Sequence, residues 1–156
     1  MKSIVLTLSL ALVWGCGSPN NQPVVEKKQV RRAEKIPDET HKFPKEGLVD
    51  SKLVESHLAG KRFMPGGNFA EYEAKGKKYQ LFFTLRGTGD EALFLLMDYK
   101  DLLEDSKFIA HLGGYFGRHE GVPTLVFQKN MYLIGVTGLD EKEADMAARV
   151  TAARLN

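Results

Sequence analysis

Apolar and polar positions along this chain alternate between two periods, one suited to helices and the other to strands. Between Asp50 and Gly60, the spacing of Leu53, Val54, His57 and Leu58 predicts a short helix, and Gly60 suits its stop. From Phe69 to Ala74 and from Tyr79 to Arg86, alternation around Lys75-Gly76-Lys77-Lys78 predicts a hairpin. The unbroken apolar run Ala92 to Met97, behind the turn Thr88-Gly89-Asp90, predicts a central strand covered on both faces, with a buried helix start as the competing reading. Behind Asp98 and Asp101, the spacing of Leu102, Leu103, Ser106, Ile109 and Leu112 predicts a helix that Gly113-Gly114 ends. Thr124 to Gln128 and Met131 to Thr137 flank Lys129-Asn130 as a second hairpin. A last helix is predicted behind Asp140 and Glu143, with Met146, Ala147, Val150 and Ala153 facing inward.

The predicted order is α-β-β-β-α-β-β-α, with room for a further strand near Tyr115. That order points to an α+β domain, a small antiparallel sheet with helices packed on one face. The stretches Tyr79 to Leu112 and Thr124 to Leu155 both read strand, turn, strand, helix, which hints at a ββα pseudo-repeat.

Ahead of this domain, Lys2 precedes the apolar run Ile4 to Val13, too short to stay in a bilayer as a spanning helix and of the length of a signal-peptide core. The next residues, Val13-Trp14-Gly15-Cys16, resemble the lipobox of bacterial lipoprotein precursors, although Trp14 is bulkier than the residue usual at its position. The resemblance implies cleavage before Cys16 and acylation of its thiol, with more than one chain giving a stable membrane anchor. It also implies export, and Gly17 after the cysteine implies the outer membrane, facing the periplasm, if the host has two membranes. The expected organisation is therefore a signal at 1–15, a lipidated cysteine with a flexible basic tether at 16–46, and a single domain at 47–156. The tether expectation rests on Pro23, Pro37 and Pro44, few large apolar residues, and the charged run Glu26 to Lys35.

Composition narrows the chemistry. Cys16 is the only cysteine among 156 residues, so the domain holds no disulfide, thiolate metal site or cysteine nucleophile. The formal charge is only +2 and the basic residues gather in the tether, so nucleic acid is not an expected partner. Gly121-Val122-Pro123-Thr124-Leu125-Val126-Phe127 resembles the cis-proline segment of thioredoxin-fold proteins, which makes a thioredoxin-like fold without redox cysteines the alternative architecture.

The four histidines, His41, His57, His111 and His119, show no metal-ligand spacing, and no metal or cofactor is expected. The glycines at 113, 114, 117 and 121 lack the Lys-Ser/Thr of a phosphate loop. They frame instead a loop offering Tyr115, Phe116 and Arg118, residue types enriched at interaction hot spots, as a candidate partner-binding site, with completion of the core by the two rings as the competing reading. The expected function is a lipid-anchored envelope protein whose domain binds or scaffolds an envelope protein or wall partner without catalysis. The alternative is a small envelope hydrolase or ligand-binding enzyme using Glu71, Glu73, Arg118, His119 or Glu120.

Overall fold

The computed structural model describes residues 35–155. Seven strands, β1 (Leu48–Ser56), β2 (Pro65–Ala74), β3 (Lys77–Leu85), β4 (Glu104–Ile109), β5 (Gly114–His119), β6 (Val122–Lys129) and β7 (Tyr132–Thr137), form one sheet in the order β1-β2-β3-β7-β6-β5-β4. Every neighbouring pair is antiparallel. Helix α1 (Gly89–Lys100) connects β3 to β4, and α2 (Glu141–Ala152) follows β7.

The hairpins follow from local turn chemistry. Lys75-Gly76 joins β2 to β3 and Glu120-Gly121 joins β5 to β6, each pair with positive φ at both residues, as a two-residue turn between right-twisted strands requires. Both predicted hairpins, β2–β3 and β6–β7, are present, and the strand foreseen near Tyr115 is β5. The last predicted helix is α2, where the Asp140 carboxylate accepts the backbone N–H of Glu143.

Three elements differ from expectation. The stretch read as a first helix is mostly the edge strand β1, with only a short 3₁₀ turn at Leu58–Gly60. The apolar run read as a central strand lies in α1, in agreement with the competing helical reading, and the helix start is fixed by Thr88 Oγ1 accepting the Glu91 N–H at 3.2 Å. The stretch read as the helix behind Asp98 and Asp101 is a turn followed by β4.

The expected architecture, a small sheet with helices on one face, is overturned as well. Leu96 and Tyr99 of α1 pack with Phe69, Phe82, Val126 and Leu133. Ala144 and Ala148 of α2 pack with Leu81, Phe83, Leu125, Phe127, Ile134 and Val136. Successive side chains of β3, β6 and β7 therefore enter different cores, so the two helices lie on opposite faces of a sheet-dominated fold. The ββα pseudo-repeat expected between Tyr79 to Leu112 and Thr124 to Leu155 fails too, because the first stretch runs strand, helix, strand (β3, α1, β4) and the second strand, strand, helix (β6, β7, α2). The thioredoxin-like alternative fails because Gly121 to Phe127 forms a turn and a strand antiparallel to both neighbours, and no described peptide bond, that of Pro123 included, is cis.

On the α2 face, residues 36–46 cross the sheet as a strap, although they were expected to belong to the tether. Phe43 is 1% exposed and its ring lies 4.7 Å from that of Phe83. Asn68 binds the strap from both ends of its amide, accepting from the Glu39 N–H and donating to the Pro37 carbonyl. The Tyr72 hydroxyl donates to the Pro44 carbonyl at 2.7 Å. The strap covers the part of the sheet that α2 leaves open.

Candidate functional site

One register line crosses the whole sheet on the α1 face: Lys52, Phe69, Phe82, Gly135, Val126, Tyr115 and Phe108, one residue from each strand in spatial order. Its middle is sealed by α1, with the Tyr99 ring stacked on Phe82 at 5.8 Å. At one edge the Lys52 ammonium lies over the Phe69 ring. At the other edge the line emerges from cover, since Phe108 is 56% exposed and its ring lies 5.3 Å from that of Tyr115.

Helix α1 carries further open apolar side chains. Ala92, Leu96 and Tyr99 face the sheet, whereas Phe94 on the outer side is 68% exposed and Leu93 is 42% exposed. Lys100 bridges helix and sheet, its ammonium lying 6.0 Å from the centre of the Tyr115 ring and bonded to Asp101. A helix apolar on its sheet side and on part of its outer side is one that ordinarily has neighbours on both.

The residues proposed for partner binding sit on a strand, not in a loop. Tyr115 and Phe116 are successive residues of β5 and point to opposite faces, Tyr115 against the α1 core and Phe116 against the α2 core. Arg118 shares the Phe116 face, is exposed, and donates to the Gly121 carbonyl across the β5–β6 turn. Only Tyr115 of the three lies in the apolar surface beside α1. Sequence reasoning missed Phe94 and Phe108; their exposure was hidden because an apolar run reads as core.

The polar residues considered for catalysis are dispersed. Glu71 and Glu73 lie on β2 beside Lys78, Gln80 and Thr137 in an open depression of about 400 Å³. His119 is on β5, four strands away, a separation of roughly 19 Å at the usual strand spacing. Its Nδ1 lies 3.2 Å from the Leu102 carbonyl and its Nε2 pairs with Glu120, which also meets Lys61. Burial pushes the neighbouring Tyr99 hydroxyl up to about 12, with the Glu120 charge adding to it. Arg118 is on the opposite face of the sheet from His119.

Two further polar clusters lie on the α2 side. Asp145 accepts from His111 and, at 2.8 Å, from Arg149. The hydrogen bond with His111, then that with Arg149, holds the Asp145 carboxyl below its ordinary value. The depression beside this pair, about 440 Å³, is lined by Lys107, Glu141 and Lys142 among others and carries no hydroxyl or thiol that His111 could activate. Beneath the strap, Lys42 donates to Glu39 at 2.6 Å and to the Tyr132 hydroxyl at 3.1 Å. Burial lowers the Lys42 ammonium, but these two partners outweigh it and leave it raised. Among the described residues no group of three His, Cys, Asp or Glu side chains is placed to hold a metal ion.

Cys16 lies outside the described residues. Comparison with known proteins gives no match, whether with a family model, a curated protein or a solved structure.

Proposed function

We propose that this chain is a lipid-anchored bacterial envelope protein whose sheet domain binds another envelope component without catalysing a reaction. The observation that carries the reading is the segment Val13-Trp14-Gly15-Cys16 behind a short apolar run, which makes Cys16 the acylated residue and the membrane its attachment. In a two-membrane host the domain then faces the periplasm from the outer membrane. The binding half of the reading is supported by the exposed Phe94 on α1 and Phe108 on β4, the latter beside half-buried Tyr115, and by the distance that keeps Glu71, Glu73 and His119 from acting on one substrate.

The test is intact-mass analysis of the membrane fraction for the wild-type chain and for Cys16→Ala. A mass equal to the chain from Cys16 onward plus acyl groups, absent from the variant, is the expected result. Recovery of the wild-type chain from the soluble fraction without acyl groups overturns the anchoring.

A further inference from the structure

We infer that the outer face of α1, centred on Phe94, docks a cationic amphipathic segment of a partner protein. The inference deepens the binding half of the function proposed above and does not depend on the anchor.

Phe94 projects from α1 with Leu93 at its side, and both are large apolar side chains left substantially open to solvent. Helical spacing places Asp90 one turn before Phe94, Asp98 one turn after and Asp101 two turns after, all on the outer side and all exposed. Glu91, exposed at the same end as Asp90, is already paired with Arg86 at 3.4 Å and accepts the Gly87 N–H, so the open carboxylates of this face are chiefly Asp90 and Asp98. The one lysine of the helix, Lys100, is already bonded to Asp101. The result is an aromatic anchor in an acidic frame, on a protein whose overall formal charge is +2.

That charge selects the occupant. A second copy of this chain meeting at the same face would bring Asp90, Asp98 and Asp101 against their equals, and an anionic lipid surface would meet them with phosphates. Both juxtapositions are repulsive. A helix or extended segment carrying Leu or Phe between Lys or Arg residues satisfies both parts of the surface. Its apolar side chains cover Phe94 and Leu93, while its cations reach the carboxylates at the rim.

The experiment uses the full chain with Cys16→Ala, which removes acylation, and a fluorescent synthetic peptide of leucine and lysine at helical spacing. A peptide of leucine and glutamate in the same pattern is the control. The lysine peptide is expected to bind with an affinity that falls as salt is raised, and the glutamate peptide to bind much more weakly or not at all. Phe94→Ala and Phe94→Gln are each expected to weaken binding about tenfold or more while leaving the melting temperature unchanged, because the ring is outside the core. Asp98→Asn with Asp101→Asn is expected to flatten the salt dependence. Equal affinity for both peptides, or affinity untouched by both Phe94 variants, overturns the inference. So does Phe94-dependent self-association, or Phe94-dependent binding to phosphatidylglycerol vesicles, in place of peptide binding. Failure here leaves the acylation of Cys16 standing, and failure of that acylation leaves this surface untouched.

Discussion

The ring of Phe82 lies flat across Gly135, its cross-strand partner, at the centre of the sheet on the α1 face. A Cβ built on Gly135 would stand 2.0 Å from Phe82 Cζ. The contact allows Tyr99 of α1 to stack on Phe82 and so sets how closely the helix approaches the sheet. Gly135→Ala is expected to cost about 1–3 kcal/mol by overpacking. Adding Phe82→Leu should recover part of that loss, since the two residues share one contact. Urea denaturation of the single and double variants checks both statements. An unchanged midpoint for Gly135→Ala would mean the ring has room to move away.

What could be read from the sequence was whatever local turn and cap chemistry specified. The β2–β3 and β6–β7 hairpins and α2 are there because their turn residues and the Asp140 cap act over a few residues. Helix α1 escaped because Leu93 and Phe94 are apolar on its exposed side, which erases the 3.6-residue contrast. The signal that did mark it is Thr88 with Glu91 three residues on, a capping-box spacing. Edge strand β1 escaped for the opposite reason. Both of its faces are largely open, so it shows no two-residue alternation. In β4 the irregularity between Glu104 and Lys107, with Asp105 at φ 51°, breaks the alternation and leaves a spacing that imitates a helix. The face on which each helix packs is set by long-range strand order, which no local pattern encodes. For the candidate surface, Tyr115 was legible as an aromatic near a turn, whereas the exposure of Phe94 and Phe108 was not.

Phe43 tests whether the strap belongs to the folded unit. Its ring is buried against Phe83 at the end of a segment whose composition resembles a linker. Phe43→Ala is expected to destabilise the domain by about 3–5 kcal/mol, the usual loss for an aromatic side chain removed from a core. The measurement is chemical denaturation with tryptophan-independent detection such as circular dichroism. A loss within the range of an exposed substitution would show that the sheet stands without the strap.

Asp145 gives the α2 side an acid sensitivity. Its carboxyl is held below its ordinary value by His111 first and Arg149 second, so the folded state gives up this proton more readily than the unfolded state does. Stability from this group is therefore present above the unfolded carboxylate value of about 4 and is lost as pH falls through the lower folded value. Asp145→Asn is expected to flatten the stability curve in that acidic window, and His111→Ala to flatten it partly. Denaturation midpoints measured from neutral to strongly acidic pH decide the matter. Parallel curves for wild type and Asp145→Asn would show that the cluster makes no net contribution.

The two helix caps offer a test of the layered arrangement, because each fixes a helix on a different face of the sheet. Thr88 Oγ1 caps α1, and the Asp140 carboxylate caps α2. Thr88→Ala is expected to cost about 1 kcal/mol, with Thr88→Ser retaining most of the stability because the hydroxyl still reaches the Glu91 N–H. Asp140→Ala should also destabilise, since it removes both the cap and a charge 3.7 Å from the Lys77 ammonium. With a sheet between the helices and no shared partner, the losses should add in the double variant to within about 0.5 kcal/mol. Amide hydrogen exchange should respond locally. Protection in the first turn of α1 should fall only with Thr88→Ala, and in the first turn of α2 only with Asp140→Ala. A strongly non-additive double variant, or loss of α2 protection on removing the Thr88 hydroxyl, would mean that the helices are stabilised together and not separately by their own faces of the sheet.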